Sequence, residues 1–436
     1  MNDRLRAARE RTASLICPDD CLSRQELAEL INSWVWDHHH KVVEASANWV
    51  GQLERGKIRW PGRLYREALR AIFGVSTDAA LGFANTRRAV VKLDVKRKQF
   101  LNLGVGALTL GPLAALLDGV SEPTPIPHRI GTTEIEQIRT AETVFAGWDF
   151  TYGGGLAREA VMGQLRWSAR LLDESTCPAR LSSELHSAVG ALADTAGYMA
   201  FDAGAYDDAR RVFRFALTCA EKAGDWDLRA VVLDSMALLE IRVGQPDEGL
   251  TLAEQALVRA DRLTETVQGL LHTTRSRALA KMRRGQDTLI AVGAAEDHFA
   301  QATPANDPPF LDYWNAAFLT GNTGQALFDL AIAGHHCEDA ADRLTTAAAE
   351  HHTAGRARSQ AICLTKLASL TMVTGDPIQA AAIGIKALNT ASTIRSHRVT
   401  DDLRELFRYA AAHQHRDEVA HLRHRISTLL VGTTDQ

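Results

Sequence analysis

The stretch SRQELAEL, residues 23–30, begins a helix around which a small N-terminal domain is predicted to form. Ser23 can cap the helix N-terminus, and Glu26, three residues later, can accept a hydrogen bond from the backbone N–H of Ser23. This reciprocal pattern is a capping box, one of the clearest signals of a helix start. Leu27 and Ile31 lie four residues apart, so one face of this helix is expected to be buried.

A second, shorter helix is predicted from SANWVGQLERG, residues 46–56. Ser46 is suited to its N-cap, and Gly56 to the position just after its last turn. Val50 and Leu53 give the helix an inward side. The outward side then carries Ala47, Asn48, Trp49 and Gln52. Short and amide-bearing side chains at the front of a helix suit base edges in the major groove, because Asn or Gln can pair bidentately with adenine.

Together the two helices resemble the helix-turn-helix domain of lambda-repressor-like, xenobiotic-response-element-type regulators. The matching pieces are QELA at residues 25–28, LERG at 53–56 and LRAIFGV at 69–75. The resemblance implies that Gln25, Asn48 and Gln52 lie where the family contacts DNA. One feature departs from the family, which has a turn of a few residues between the two helices, whereas residues 32–45 intervene here.

Basic residues just beyond the second helix are expected to meet phosphates, where a helix leaving the groove reaches the DNA backbone. The complete predicted DNA-binding set is Arg24, Gln25, Ser46, Ala47, Asn48, Trp49, Gln52, Lys57, Arg59 and Arg63. The charge distribution agrees with this prediction. Residues 1–100 carry 18 Lys/Arg against 12 Asp/Glu, a balance of +6, whereas the net charge of the whole chain is −4. A basic head on an acidic body is typical of a DNA-binding module joined to a regulatory domain.

A connector, residues 85–131, is predicted to join the head, residues 1–84, to the body, residues 132–436. Within it, residues 100–117 contain no charged side chain, but Asn, Thr, Pro and three Gly residues weaken this run as a membrane span. A buried linker helix is therefore expected, with membrane anchoring as the alternative. The stretch SEPTPIP, residues 121–127, is a linker stiffened by prolines. No apolar signal-peptide core follows the first residues, so a cytoplasmic, nucleoid-associated location is predicted.

The body reads as a succession of amphipathic helices with short breaks from residue 132 to about residue 430. Glycines mark five of these breaks: Gly204, Gly244, Gly285, Gly334 and Gly375. Intervals of 40 or 41 residues separate the first three and the last two. A helix–turn–helix unit at this period is typical of an α-solenoid and resembles tetratricopeptide repeats. The predicted fold is thus all-α, a helix-turn-helix domain followed by about five helix pairs; the alternative is a non-repetitive bundle.

Stacked helix pairs form a concave face suited to a peptide, a partner protein or a small molecule. The predicted effector-binding residues on this face are Asp194, Asp234, Glu240, Arg275, Arg277, Tyr313, Trp314, Asn315 and Lys366. The aromatic stretch WDFTY, residues 148–152, could also shape a pocket, although aromatic packing at a domain seam is the favoured interpretation. The glycines at 153–155 lack the Lys-Ser/Thr of a phosphate loop, so they predict a tight turn and no nucleotide cofactor.

No arrangement of residues predicts catalysis, and neither a catalytic residue nor a metal nor a cofactor is expected. Cys17 and Cys21 lie four residues apart without a second close pair to complete a zinc site. His421 and His424 lie three apart, yet no Cys or carboxylate follows at zinc-site spacing. Reduced thiols and solvated or packed histidines are the expected states.

The arrangement as a whole resembles actinobacterial regulators that join this helix-turn-helix head to a tetratricopeptide-like body. The resemblance implies a transcriptional regulator of development, secondary metabolism or signalling with a ligand- or partner-controlled body. We expect it to bind double-stranded DNA as a homodimer and a peptide, small-molecule or protein effector in the concave groove. The alternative, from a different class, is a protein-interaction scaffold built on the solenoid, with the head as a docking fold.

Overall fold

A computed structural model describes residues 2–14, 20–58, 60–83 and 124–434. The chain divides into two compact units, Met1–Asp118 (unit 1) and Gly119–Gln436 (unit 2). All regular elements in the described residues are helices, accompanied there by two isolated β-bridges. The predicted all-α class is therefore confirmed. The apolar run at 100–117 and Arg59 lie outside the described residues.

The described residues of unit 1 form four α-helices and a short 3₁₀ turn. They are α1 (Asp3–Glu10), α2 (Arg24–His39), α3 (Ala47–Glu54), α4 (Arg63–Phe73) and the 3₁₀ turn Asp78–Leu81. The predicted capping box is present, since the Ser23 hydroxyl accepts from Glu26 N at 3.2 Å and Ser23 N donates to the Glu26 carboxylate at 2.8 Å. Ser46 caps α3 by accepting from Trp49 N at 3.3 Å, and Gly56 has the left-handed φ of 72° expected after a helix end.

Helix α1 ends at Glu10, and the chain then folds back so that Leu22 N donates to Thr12 O at 2.8 Å. One prediction about the head was wrong. The long connector at 32–45 is mostly helix, since α2 continues to His39. Val35 extends the buried face by one more turn after Ile31, so continuing the helix buries additional apolar surface.

Unit 2 contains fourteen α-helices among its described residues. They are α5 (Thr132–Tyr152), α6 (Arg158–Glu174), α7 (Ala179–Asp202), α8 (Tyr206–Ala223), α9 (Trp226–Arg242), α10 (Pro246–Ala256), α11 (Glu265–Lys281), α12 (Gly285–Gln301), α13 (Ala316–Ile332), α14 (Asp339–Thr353), α15 (Ala357–Thr374), α16 (Pro377–Ala391), α17 (His397–Tyr409) and α18 (Asp417–Thr434). Consecutive helices pack as five pairs, α7 with α8 through to α15 with α16. Their assignment to tetratricopeptide-like repeats stays a prediction.

The first members of these pairs form an inner layer together with α5. Helices α5, α7, α9, α11, α13 and α15 each contact the next, and α15 also contacts α5. The inner helices therefore close into a ring, where the sequence predicted an open concave face. The turn after α5 passes so close to α7 that a Cβ on Gly154 would lie 2.3 Å from the Met199 carbonyl oxygen. Glycine, which has no Cβ, allows this close approach. Gly155 N then donates to Arg395 O at 3.3 Å.

Two details of the predicted repeats differ from the structure. Gly285 is the first residue of α12, and the left-handed turn residue before it is Arg283, with φ of 60°. Tyr313, Trp314 and Asn315 were predicted on the concave face of an inner helix, but that helix, α13, begins only at Ala316. The reason is that Asn315 is its N-cap, accepting from the backbone N–H groups of the residues at 317 and 318 at 3.1 and 3.4 Å.

Candidate functional site

The outward face of α3 is the first candidate site. Val50 and Leu53 are fully buried in the core of unit 1, so the opposite side of this short helix faces away from that core. Asn48 is exposed and Gln52 is half-buried on that side. An exposed amide at the front of a capped helix has the chemistry needed to pair with an adenine edge.

Trp49 differs from its predicted outward position. Its ring lies 4.5 Å from the ring of Tyr65, centroid to centroid, and it packs against the apolar core of unit 1. Ala47 is half-buried as well. Trp49 therefore anchors α3 to α4, because its large apolar surface is more favourably placed against Tyr65 than in water.

Three of the other predicted DNA-binding residues, Arg24, Gln25 and Arg63, pair with carboxylates of unit 1. The Arg24 guanidinium donates to the buried Glu54 carboxylate at 2.7 Å, while Arg9 donates to the other oxygen of the same carboxylate at 2.7 Å. Arg24 thus connects α2 to α3 from an exposed position. Ser46 and Lys57 are exposed, Gln25 donates to Glu29 at 2.7 Å, and Arg63 pairs with Glu67 at 2.8 Å. The role of these residues in DNA binding stays a prediction.

The second candidate site is a cavity inside the ring of unit 2, with a volume of about 110 Å³. Roughly 10–15 Å³ of such space holds one water molecule, so the cavity has room for about ten non-hydrogen atoms. All six inner helices contribute to its wall, together with the loop before α13. The cavity can therefore accommodate a small organic molecule.

One wall of the cavity is aromatic. The Tyr313 ring lies 5.4 Å from Phe150 and 5.5 Å from Phe318, and Trp314 lies 5.9 Å from Phe318. His351 packs edge-on to Phe318 at 4.9 Å, and burial lowers its pKa to about 4. This wall is thus mainly aromatic, with an uncharged imidazole at its edge near neutral pH. In the described residues, the Trp314 indole N–H on this wall is buried without a hydrogen-bond acceptor.

The other walls are acidic. Glu142 accepts a hydrogen bond from Thr195 Oγ at 2.9 Å, and burial raises its pKa. Burial also raises the pKa of Asp234 to about 7. For Asp194, burial is again the main cause, reinforced by the neighbouring carboxylates, and its pKa rises to about 8. Desolvation disfavours the charged form of a carboxyl group, so these three groups hold protons more strongly than carboxyls in water.

A fourth carboxylate on the wall, Asp149, has a cationic partner. Arg358 Nη1 donates to it at 2.5 Å and lies 3.5 Å from Asp202. Asp202 in turn accepts from Ser396 Oγ at 2.8 Å and from Gly154 N at 3.0 Å. This cluster joins α15 to α5 and α7, and it neutralises the end of the cavity at which the ring closes.

The nine predicted effector-binding residues separate into two groups. Asp194, Asp234, Tyr313 and Trp314 line the cavity, although their role in binding stays a prediction. The others make contacts elsewhere: Glu240 accepts from Arg210 at 2.7 Å, Arg275 lies 3.6 Å from Glu254, Arg277 donates to Asn322 at 3.2 Å, Asn315 caps α13, and Lys366 donates to Glu405 at 2.7 Å.

Several cavity residues were not predicted, above all Glu142, Tyr198 and Arg358. For Asp149 and Phe150 the sequence indicates the pocket in part, because the aromatic stretch at 148–152 predicts a pocket wall as the alternative to aromatic packing at a domain seam. For Glu142 and Arg358 no local pattern distinguished them from the many other charged residues on amphipathic helices.

In the described ranges, no group of three or more His, Cys, Asp or Glu side chains is arranged to hold a metal ion. None of the helices described has both the length and the apolar character needed to cross a bilayer. A scan against protein-family models found no matching family, and a search of the curated proteins found no significant match.

Proposed function

We propose that this chain is a DNA-binding transcriptional regulator whose helical body binds an effector. Unit 1 would read duplex DNA with α3 in the major groove. Two copies, associated through their bodies, would place two such helices about 34 Å apart, one turn of DNA. The observation that carries the proposal is the division of α3 between a buried face at Val50 and Leu53 and an outward face at Asn48 and Gln52.

The construction of unit 1 supports this role for α3. A short helix can read bases reproducibly only if it is held rigidly on its scaffold. Glu54 at the end of α3 is buried and receives hydrogen bonds from both Arg9 of α1 and Arg24 of α2. Trp49 packs on Tyr65 of α4, so α3 is fixed to α1, α2 and α4.

The cavity of unit 2 supports the effector part of the proposal. An enclosed site with an aromatic wall and a few inward polar groups is typical of small-molecule binding. An effector would act by binding one arrangement of the dimer more tightly than the other, since only differential affinity shifts such an equilibrium.

The test is the selection of bound sites from random duplex DNA with the full chain, followed by affinity measurements on the selected operator. Replacing Asn48 and Gln52 by Ala is expected to relax base preference, at about 1–3 kcal/mol for each lost bidentate contact. Lys57→Ala is expected to weaken binding to all sequences and to reduce the salt slope by about one. Arg11→Ala, an exposed cation of unit 1 outside the predicted set, is the matched control.

The proposal fails if the Asn48/Gln52 variant and Lys57→Ala both keep the operator affinity and the base preference of the wild type. That result would show that α3 does not read DNA. Weak, sequence-independent DNA binding together with a stable complex with another protein would favour the scaffold function instead.

A further inference from the structure

The inference concerns the three carboxyl groups of the cavity that have no cationic partner. Glu142, Asp194 and Asp234 come from three successive inner helices, α5, α7 and α9, and all line the same space. Within the part of the chain that the structure describes, none of them forms an ion pair. The nearby Arg277 lowers the pKa of Asp234 only in part, since burial still raises it overall.

Unused hydrogen-bond acceptors provide a second, independent observation. Among the described residues, the Oδ1 atoms of Asp194 and Asp234 are buried without any hydrogen-bond partner. Asp234 is only 5% exposed. A buried acceptor without a donor is costly, and native proteins rarely leave one unless another molecule supplies the donor. The cavity therefore presents sites for a ligand that donates hydrogen bonds.

The aromatic wall defines the remaining chemistry of the ligand. Aromatic ring faces attract cations and also pack against apolar groups. The protein already uses this attraction at its own Arg356, whose guanidinium lies 4.8 Å from the Phe150 centroid and 4.9 Å from that of Phe318. Tyr313 and Trp314 extend the same wall along the cavity.

We propose that the effector of unit 2 is a small organic cation, a protonated amine on an apolar body of about ten non-hydrogen atoms. Its ammonium group donates hydrogen bonds to Asp194 and Asp234, near Glu142, and its apolar body packs against Tyr313 and Trp314. The inference rests on the proposed effector function of unit 2. An anionic ligand is disfavoured, because the two guanidinium groups that line the cavity already face carboxylates: Arg358 pairs with Asp149 and Asp202, and Arg398 lies 3.9 Å from Asp202.

Proton release provides a distinctive signature of such a complex. Carboxyls whose pKa values lie near 7 and 8 carry protons for part of the time at neutral pH. An ammonium group favours their ionised forms and so expels these protons on binding. The heat of binding should then depend on the ionisation enthalpy of the buffer.

The experiment is calorimetric titration of the full chain, without DNA, with three probes that share a phenyl ring on a two-carbon chain and differ in the polar group: 2-phenylethylamine, 2-phenylethanol and 3-phenylpropanoate. The amine is expected to bind at least about tenfold more tightly than the alcohol, because hydrogen bonds to charged groups are the stronger ones. The amine should also release protons, and the propanoate should bind more weakly than the alcohol.

Variants connect the preference to the carboxyl groups. Asp194→Asn combined with Asp234→Asn should abolish both the preference for the amine and the proton release. The control is Asp247→Asn, an exposed carboxylate at the start of α10, which should retain both. Since Asn is nearly isosteric with protonated Asp, a melting curve of the double variant confirms that the ring is intact.

Equal binding of amine and alcohol, a preference for the propanoate, or no binding of the amine at millimolar concentration would overturn the proposal. So would an amine preference that survives in the double Asn variant. Because DNA is absent, these outcomes are independent of whether α3 reads an operator, and the two proposals can fail separately.

Discussion

Two sets of buried carboxylates in unit 2 have opposite surroundings. In the paired set, Asp402 accepts from Arg242 at 2.8 Å and lies 3.2 Å from Lys366. Burial opposes its charge, but these two cations hold its pKa below the ordinary value. In the unpaired set, Asp194 and Asp234 have no such cations, and burial raises their pKa values.

The comparison shows that burial alone does not determine what a carboxylate does. Asp402 joins three helices, since its cations come from the inner helices α9 and α15 while it lies on α17. Its charge is matched within the fold, so it contributes to holding the ring closed. The unpaired carboxyls make no equivalent contribution, because a buried charge without a partner costs free energy. Because no cation of the protein pairs with them, these carboxyls are available to a ligand.

The largest expected effect is the removal of the cation from a second group of paired, buried carboxylates, Asp149 and Asp202, which share Arg358. Arg358→Met leaves Asp149 and Asp202 buried without their guanidinium. Breaking a buried pair in this way typically costs about 3–5 kcal/mol. Urea denaturation of the full chain, monitored by circular dichroism, should show a correspondingly lower transition midpoint. A loss below about 1 kcal/mol would show that the cluster does not hold the ring together.

An intermediate effect of opposite sign is expected in the unpaired set. The folded-state pKa of Asp234 lies near 7, above its unfolded value, so the wild type loses stability as pH rises from about 4 to about 7. Asp234→Asn cannot ionise, and its stability relative to wild type should therefore increase across this range, by up to about 4 kcal/mol, and then level off. Thermal melting of both proteins at several pH values measures the difference; a constant or decreasing difference would contradict the assignment.

The smallest effect is expected for an ion pair on the surface. Arg170 donates to both oxygens of Glu174 at 2.8 and 2.9 Å, yet both side chains are nearly half exposed. Water screens such a pair, so Arg170→Met should leave the free energy of unfolding almost unchanged. This variant is the matched control for Arg358→Met, because it removes the same guanidinium without uncovering a buried carboxylate. A loss as large as that of Arg358→Met would show that burial is not the relevant difference.

The local features of unit 1 were predictable from sequence because they depend on neighbours a few residues away. The capping box of Ser23 and Glu26 and the cap at Ser46 are of this kind. The length of α2 was not predicted, since WVWDHH was interpreted as part of a connector. Its helical state depends on the burial of Val35 in a core supplied by the rest of the unit.

The candidate site of unit 2 was predictable only in part. Periodicity identified the inner helices, and so Asp194 and Asp234 were assigned to the inner face. The same reasoning also selected Lys366, which is instead held by Asp402 and Glu405. Periodicity indicates which side of a helix is turned inward, but it does not indicate what the side chain meets there.

The sequence by itself determined the helical composition of the chain, the caps of its short helices and the breaks between its helix pairs, since these follow from interactions within one or two turns. The tertiary structure alone decided which buried carboxylates have partners. Arg358 reaches Asp149 across 209 residues only because α15 returns to α5. Electrostatic interaction depends on the distance between charges in space, and closure of the ring sets that distance.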